Sequence, residues 1–354
     1  MTGLFIGSTG GSAGKSLLSV ALGVLLQKRG FSVGFMKPVG QYPRQEAERL
    51  GDADALIIQE ALGQHVQADD LTPAMLPSSL HALSILADDS AFSRIKEAYA
   101  RISEGKDVTL VCGTGRFPSA GTCFNADGLR LTRELGLKTI LIERFRGAVE
   151  YDALLALRQH LGDSLLGVVL NDVPEKNHRD IDNLLRPYLE SCRVPVLGVI
   201  PPEPGLTAMR ISELARMLSG VIVAGNAKTA NFVEGYIIGT MQVDNFMTFL
   251  RTRKKSDAVI VGGDRADLQI AALHSGCCCL VLTGNISPCE LVRALAEEKG
   301  APLISVRPDT FTVARSMEGI IRNKKMRDLK QLRLAIDLVT GSLDLGRIVD
   351  TVKS

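Results

Sequence analysis

The residues best suited to chemistry lie near the start of the chain, in the segment Gly7-Ser8-Thr9-Gly10-Gly11-Ser12-Ala13-Gly14-Lys15-Ser16. A short apolar strand, Leu4 to Ile6, is predicted before it, and a proline-free helix, Leu17 to Gln27, after it. A sharp turn from strand into helix directs several backbone N–H groups and the positive end of the helix dipole at one point. The segment therefore predicts an oligophosphate site, in which Lys15 contacts the outer phosphates and the Ser16 hydroxyl ligates Mg2+.

One position departs from the usual spacing of such loops. Thr9 stands where Gly-x-x-x-x-Gly-Lys-Ser has its first glycine, although Gly10 and Gly11 follow at once. The alternative interpretation is a glycine-rich turn with a solvated lysine, but the strand before and the helix after favour the phosphate site. The residues predicted to contact the nucleotide phosphates are Ser12, Ala13, Gly14, Lys15, Ser16 and Leu17.

Composition places the chain among globular proteins of about two domains, with 354 residues, 45% of them hydrophobic and 23% charged. The 41 basic and 39 acidic residues leave a net charge of +2, so we expect neither a nucleic-acid nor a membrane partner. The basic stretches Arg251 to Lys255 and Arg322 to Lys330 lack interleaved aromatic residues and are interpreted as solvated faces. A strand at the very start leaves no room for a signal peptide, so we expect a cytoplasmic protein.

The seven cysteines include no Cys-x-x-Cys pair, so neither a zinc site nor a disulfide framework is expected. Cys277 to Cys279 open an apolar run, and we interpret them as the start of a buried strand in a reducing compartment.

Apolar strands alternate with helix-length segments along the first two hundred residues, which predicts a mostly parallel sheet covered by helices on both faces. The stretch Ile200 to Gly205 holds three prolines and ends this pattern. A second, smaller α/β domain is predicted to follow, and the chain from Lys324 is predicted to form amphipathic helices. The predicted divisions are residues 1–204, 205–323 and 324–354.

Three polar side chains of the first domain are candidates for metal or phosphate chemistry. Lys37 ends the second predicted strand in Met-Lys-Pro-Val-Gly, beside the expected phosphates, and is either a catalytic contact or a solvated lysine. Asp52 and Asp54 open a helix, where they either complement the helix dipole or hold Mg2+, and Asp54 is the favoured ligand.

Two further strand ends point toward the same site. Cys112 precedes the loop Gly113-Thr114-Gly115, at a position where phosphoryl chemistry usually has an acidic metal ligand. Asn171 ends another strand, and either reads an adenine edge or serves a turn or helix cap.

These motifs together resemble the dethiobiotin synthetase-like P-loop family. They are Ser-Thr-x-x-x-x-Gly-Lys-Ser, Lys-Pro-Val-Gly, Asp-Ala-Asp-Ala, Gly-Val-Val-Leu-Asn and Val-Pro-Val-Leu-Gly-Val-Ile-Pro. The order of domains is similar to the N-terminal region of long phosphotransacetylases. There, a DRTGG domain follows, matched here by Ile237 to Met241, Gly262 to Asp267 and Leu282 to Asn285.

The resemblance implies ATP and Mg2+ as ligands. It places Lys15 and Ser16 on phosphate and metal, Lys37 on the transferred phosphate or substrate, Asp54 on the metal and Asn171 on the adenine. Where the family carries a metal-binding glutamate in Val-Glu-Gly, this chain reads Val-Cys-Gly, with Cys112 at the centre. A neutral thiol is a poor Mg2+ ligand, and Glu143, at the end of a neighbouring strand, is the candidate substitute.

In the second domain, the resemblance makes Gly262, Gly263, Asp264 and Arg265 candidate ligand residues. The alternative is structural, with Asp264 capping the next helix and pairing with Arg265. The resemblance also implies a homodimer or other homo-oligomer. We expect no phosphotransacetylase chemistry, since the chain reaches only to Ser354, but an acyl-transfer enzyme is a candidate partner.

Three functions follow from these features. The leading hypothesis is a nucleotide-binding regulatory or sensor protein with weak or no ATP hydrolysis. The second is an ATP- and Mg2+-dependent carbon–nitrogen ligase of the dethiobiotin or cobyrinic acid a,c-diamide synthase type. The third is a structural partner that binds no nucleotide. Lys15 disfavours the third function, and Cys112 disfavours the second.

Overall fold

The computed structural model describes residues 2–46, 49–77, 90–145, 151–206, 209–322 and 329–353. The chain divides into two compact units. The first unit comprises Met1–Glu203 together with Lys325–Ser354, and the second comprises Pro204–Lys324.

Strands and helices mostly alternate along the chain, with exceptions such as the consecutive strands 33–52 and the helices from residue 310 onward. The strands are β1 (Thr2–Gly7), β2 (Val33–Met36), β3 (Val39–Gly40), β4 (Pro43–Glu46), β5 (Arg49–Asp52), β6 (Ala74–Met75), β7 (Val108–Cys112), β8 (Lys138–Arg144), β9 (Leu165–Asn171), β10 (Val196–Val199), β11 (Met209–Arg210), β12 (Val221–Ala224), β13 (Phe232–Val233), β14 (Gly235–Ile238), β15 (Asp257–Gly262), β16 (Cys279–Thr283) and β17 (Leu303–Ser305). The α-helices are α1 (Lys15–Lys28), α2 (Ala53–Ala61), α3 (Ala68–Leu71), α4 (Ala91–Ser103), α5 (Gly128–Glu134), α6 (Tyr151–Leu161), α7 (His178–Asp180), α8 (Arg186–Ser191), α9 (Ile211–Met217), α10 (Val243–Leu250), α11 (Ala266–His274), α12 (Glu290–Lys299), α13 (Thr310–Arg322), α14 (Leu329–Thr340) and α15 (Leu345–Lys353). A π-helical turn, Ile181–Leu185, joins α7 to α8.

The main sheet of the first unit has the strand order β10-β9-β8-β1-β7-β2, and its neighbouring strands are parallel. Its strands are apolar along their length because both faces of the sheet are covered. Along β1, Leu4 and Ile6 face the core that contains α1, whereas Phe5 faces the core that contains α4. The predicted parallel sheet with helices on both faces is therefore confirmed.

The position of β1 in this sheet explains where a site can form. β1 lies between β7 and β8, and its carboxyl end leads into α1. Because parallel strands end at the same edge, the residues that follow β1, β2, β7, β8 and β9 converge there.

The second unit is a smaller α/β layer, as the sequence predicts. Its sheet has the order β12-β17-β16-β15-β14, and β12 alone among these strands is antiparallel to its neighbour. Helices α10, α11 and α12 cover one face, and α9 and α13 the other. The prediction for the cysteines is wrong in detail, because Cys277 and Cys278 precede β16. Gly276, with φ 76°, ends α11, and the connection to β16 uses these two residues.

The C-terminal helices pack on the first unit, whereas the sequence analysis set residues 324–354 apart as a tail. Leu332, Ile336 and Val339 of α14 are buried in the same core as α1. Leu343 forms a β-bridge with Gly198 of β10. An amphipathic helix must cover its apolar face, and α1 presents the apolar surface that does so. Residues 324–328 of the predicted tail, and most of the basic stretch 322–330, lie outside the described residues.

The helices of the described residues include none with the combined length and apolar character needed to cross a membrane.

Candidate functional site

The predicted phosphate-binding loop connects β1 to α1. Ser12 and Gly14 adopt left-handed backbone conformations, with φ of 53° and 112°. A Cβ on Gly14 would lie 2.5 Å from Nδ2 of Asn171, so only glycine fits this close approach. Glycine at the N-cap of α1 also supplies no side-chain acceptor to the first turn, which suits an anion as the acceptor.

Lys15 is turned inward beneath this loop. Its Nζ donates to Oγ of Ser8 and to the carbonyl oxygen of Gly115, each at 2.8 Å, and the residue is 9% exposed. Burial lowers the pKa of Lys15 from 10.5 to about 8, although the neighbouring Cys112 and Asp54 act in the opposite direction. The lysine is therefore a desolvated cation near neutral pH, and such a cation is well suited to an anionic ligand.

Lys37 forms a buried ion pair that the sequence analysis did not predict. Its Nζ lies 2.8 Å from Oδ1 of Asp52 and 3.6 Å from Oδ2 of Asp54, and Lys37 is 3% exposed. Burial alone would lower the pKa of Lys37, but the charges of Asp54 and Asp52 outweigh it and raise that pKa. Two carboxylates thus fix the lysine in place.

Asp52 is the centre of this arrangement. Its carboxylate caps α2 by accepting from the N–H groups of Asp54 and Ala55, and it accepts from those of Gln41 and Tyr42 at 2.8 and 3.0 Å. Burial would raise the pKa of Asp52, but the Lys37 charge and these hydrogen bonds lower it. Asp52 therefore lies at the N-terminus of α2, where the sequence places a carboxylate that complements the helix dipole, and it also caps the helix and pairs with Lys37.

Cys112 lies at the end of β7 and is 1% exposed. Burial raises the pKa of its thiol above 9.0, and the positive charges of Lys37 and Lys15 offset this effect only in part. The thiol is thus neutral at physiological pH, beside both lysines, at the position where the sequence analysis expected a metal-binding acid. Glu143, the candidate substitute, is buried at the end of β8, opposite Leu170 of β9.

Mg2+, which the resemblance implies, can be tested against the oxygen donors present. Oγ of Ser16 and Oδ2 of Asp54 lie 3.3 Å apart, so the structure brings both predicted metal ligands together. Mg2+ is commonly held by one or two protein oxygens with phosphates and water completing its octahedron. The described residues contain no cluster of three or more His, Cys, Asp or Glu side chains suited to a metal. Ser16 and Asp54 therefore fit a phosphate-bound Mg2+ rather than a site built from protein alone.

Asn171 contacts the loop itself. Its Nδ2 donates to the carbonyl oxygen of Ala13 at 2.8 Å, and the residue is 6% exposed. Arg144, at the end of β8, donates from Nη1 to the carbonyl oxygen of Ser12 at 3.4 Å, and its Nε lies 2.6 Å from Oδ2 of Asp172. The sequence analysis considered a turn, a cap or an adenine contact for Asn171 but did not predict this bond to the loop.

The second glycine-rich strand end has a different geometry. Arg265 pairs with Asp267 through two contacts, Nε to Oδ1 at 3.0 Å and Nη2 to Oδ2 at 2.9 Å, whereas the structural alternative paired it with Asp264. Arg265, not Asp264, occupies the N-cap position of α11. The buried Gln269 donates from Nε2 to the carbonyl oxygens of Gly262 and Gly263 at 2.8 and 3.1 Å. A ligand role for Gly262, Gly263, Asp264 and Arg265 stays a prediction.

The structure thus gathers the candidate residues of the first unit around one loop. The sequence analysis missed Ser8, Arg144 and Asp172. The rule that ligands bind at the carboxyl ends of parallel strands was the signal available for both, since Arg144 ends β8 and Asp172 directly follows β9.

Comparison with known proteins agrees with these observations. A family model described as an AAA domain matches residues 2–210, and one described as a DRTGG domain matches residues 213–320. Phosphate acetyltransferase of Pseudomonas putida is 25% identical over 367 residues, covering 97% of this chain and 51% of the relative. The ATP-dependent dethiobiotin synthetase of Serratia marcescens is 29% identical over 197 residues, covering 52% of this chain and 85% of the relative. The chain spans about half the length of the phosphate acetyltransferases it matches.

Among solved structures, cobyrinic acid a,c-diamide synthase from Mycobacterium smegmatis, which holds ADP and magnesium, is 17% identical with a TM-score of 0.36. The match covers 57% of this chain and 86% of that one. The regulatory region of Clostridium perfringens pyrophosphatase, with CBS and DRTGG domains and diadenosine tetraphosphate, is 16% identical with a TM-score of 0.27, covering 45% and 74%. Since the AAA domain model spans more than half of the residues, the chain belongs to that P-loop family and carries a DRTGG domain after it.

Proposed function

We propose that this chain binds ATP or a related nucleotide, with Mg2+, at the loop between β1 and α1, and that it acts as a regulatory or sensor protein with weak or no hydrolysis. The buried thiol of Cys112 at the end of β7, where the resemblance implies a metal-binding acid, is the observation that carries this proposal. The chain has the loop, lysine and serine proposed to bind phosphate, whereas Cys112 stands where an acid is expected to hold the metal during phosphoryl transfer.

The binding residues have separate roles. Lys15 neutralises the outer phosphates, and the N–H groups at the start of α1 donate to them. Ser16 and Asp54 would hold Mg2+, which when bound would offset the negative charge of the phosphates. The Lys15 ammonium has three N–H donors, and its contacts with Ser8 and Gly115 use two of them, so the third can donate to a phosphate.

The state of Lys37 supports regulation over ligation. A ligase of the dethiobiotin type needs a lysine that reaches the transferred phosphate or the second substrate. Here Lys37 is buried and held by Asp52 and Asp54. Removing either carboxylate partner from such a pair is costly, so the pair opposes release of the lysine.

The ligase is the second candidate, because the match to the dethiobiotin synthetase of Serratia marcescens covers 85% of that protein. Self-association and docking on an acyl-transfer enzyme are further parts of the proposal. Their support is the alignment of nearly the whole chain with half of each phosphate acetyltransferase.

Thermal and chemical unfolding with Mg-ATP tests the binding proposal. At about 100 times the dissociation constant, nucleotide should stabilise the protein by roughly 2.7 kcal/mol. Lys15→Ala should abolish this stabilisation, while Lys28→Ala, an exposed lysine at the end of the same helix, should retain it. Equal stabilisation of both variants, or none of the wild type by any nucleotide, contradicts the proposal.

Phosphate release separates the two functions. The regulatory protein should release phosphate slowly whether or not amines and carboxylates are added. Release that depends on a diamine or carboxylate substrate establishes the ligase instead. Cys112→Glu restores an acid beside the lysines and should strengthen Mg2+-dependent nucleotide binding or hydrolysis.

A further inference from the structure

We infer that Arg144, Asn171 and Asp172 are positioning residues that hold the phosphate-binding loop in its binding conformation before any ligand arrives. The inference rests on the proposed function of nucleotide binding. It gives Asn171 a role in addition to the adenine contact implied by the resemblance, and it assigns roles to Arg144 and Asp172.

The three residues lie at the ends of two neighbouring strands, and two of them contact the loop. Arg144 and Asn171 are register partners at the ends of β8 and β9, and Asp172 follows directly. Nδ2 of Asn171 bonds the carbonyl oxygen of Ala13, and Nη1 of Arg144 contacts that of Ser12. Two consecutive carbonyl groups of the loop are therefore held by side chains outside it.

Because each peptide unit is planar, the direction of a held carbonyl group also determines the direction of the N–H group in the same unit. In a trans peptide, the C=O and N–H of one unit point in opposite directions. Holding the Ser12 and Ala13 carbonyls toward Arg144 and Asn171 therefore turns the N–H groups of Ala13 and Gly14 away from those side chains. Consecutive N–H groups that face one point form the concave anion-binding arrangement known as a nest.

The loop needs this support because its backbone is unfavourable by itself. Ser12 has a side chain and yet adopts φ 53°, a region that L residues other than Asn and Asp rarely occupy. Such conformations persist where surrounding contacts enforce them. Asp172 supplies one such constraint, since its carboxylate fixes the Arg144 guanidinium through the 2.6 Å contact to Nε and leaves Nη1 directed at Ser12.

The charge of Asp172 allows a test in which two explanations predict opposite changes in the affinity for an anion. If the residue acted only by its charge, Asp172→Asn would remove a negative group near the phosphates and tighten anion binding. If it positions Arg144 and the loop, the same variant should weaken binding by about tenfold, as expected when a charge-assisted contact is lost.

The probes are Mg-ATP and Mg-tripolyphosphate, which share the phosphates but not the base, measured by calorimetry on the full chain. We expect Asp172→Asn and Asn171→Ala to lower the affinity for both probes by the same factor. Arg144→Lys keeps the charge but not the fixed guanidinium geometry, so it should weaken both as well. Asp163→Asn, which removes a fully exposed carboxylate from the same unit, is the matched control and should change neither.

Several outcomes overturn the inference. Tighter binding by Asp172→Asn indicates electrostatics alone, and loss of ATP binding with tripolyphosphate unchanged indicates a contact to the base. If the wild type binds the probes and the variants bind them with the same affinity, this inference is wrong but the proposed function stands. If the wild type binds neither probe, the proposed function is wrong and this inference with it. Ligand-free melting temperatures should stay near that of the wild type, and Arg144→Lys provides the test if Asp172→Asn does not fold.

Discussion

Two glycine-rich loops, one in each unit, join a parallel strand to a helix. In the first unit, Gly7 to Ser16 leads from β1 into α1, and in the second, Gly262 to Arg265 leads from β15 into α11. Both loops have carbonyl groups bonded by amide side chains. A glycine turn between strand and helix is therefore common to both units, and the side chains around each turn distinguish the two loops.

The difference lies in the basic residue and in what holds the loop. Lys15 is buried, and the first loop is contacted by residues of β8 and β9. In the second loop, Arg265 lies at the surface beside Asp267, and the supporting amide, Gln269, comes from the helix that follows the loop. Burial lowers the pKa of Lys15 and so makes its charged form costly, whereas the charge of Arg265 is exposed and paired with Asp267. The first loop is therefore the better candidate for an anion.

The largest expected effect tests whether the buried ion pair of the first unit stabilises the fold more than the exposed ion pair of the second unit does. Asp52→Ala removes the partner of a buried lysine and the cap of α2, so the free energy of unfolding should fall by about 3–5 kcal/mol. Asp267→Ala, the matched change at the exposed pair, should leave it unchanged within error. Chemical denaturation of both variants measures the contrast, and equal effects would remove the distinction drawn between the loops.

The sequence predicted the first loop, the strands around it and the second α/β unit because these depend on local patterns. Apolar strands between helices indicate a sheet that is buried on both faces, and Gly-Lys-Ser after a strand indicates a turn into a helix. The ion pair between Lys37 and Asp52 was not predicted. Fifteen residues separate the two, and they meet only because the end of β2 and the start of α2 converge.

The same limit explains the contacts made by Asn171 and the placement of the C-terminal helices. The strand end was predicted, but the carbonyl group that Asn171 reaches depends on where β9 lies relative to β1. Likewise, the amphipathic pattern of α14 requires a buried face but does not say that α1 covers it. Local sequence thus predicts which surfaces must be buried or polar, and tertiary structure determines their partners.

A second test measures whether each loop has room for a methyl group added at one of its glycines. A Cβ on Gly263 would lie 2.6 Å from the carbonyl oxygen of Ile286, whereas one on Gly11 meets no atom of the described residues within 4 Å. Gly263→Ala should therefore lower the free energy of unfolding by about 1–3 kcal/mol, because backbone must shift to admit the methyl group. Gly11→Ala should change it by less than about 0.5 kcal/mol.

If Gly263→Ala is as well tolerated as Gly11→Ala, the second loop also has free space above its glycines. A ligand at Gly262, Gly263, Asp264 and Arg265 would then meet no steric obstacle from Ile286. Denaturation curves of the two variants, measured in parallel without nucleotide, decide between these outcomes.

The smallest expected effect concerns protonation, which should influence the first loop and not the second. A phosphate bound to Lys15 needs the ammonium form, and the pKa of Lys15 in the ligand-free protein is about 8. Below that pH the lysine is already protonated, so the affinity for Mg-ATP should not depend on pH. Above it, binding must take up a proton, and affinity for Mg-ATP should fall toward about tenfold per pH unit. Calorimetry between about pH 7.5 and 9.5 measures this slope.

Lys15→Arg is the control, because a guanidinium remains charged throughout this range, so its affinity should be independent of pH even if it is weaker. For the same reason, the charge of Arg265 in the second loop is constant over the titration. A slope that persists in Lys15→Arg would assign the titration to another group. It would also show that burial of the Lys15 cation is not what distinguishes the two loops.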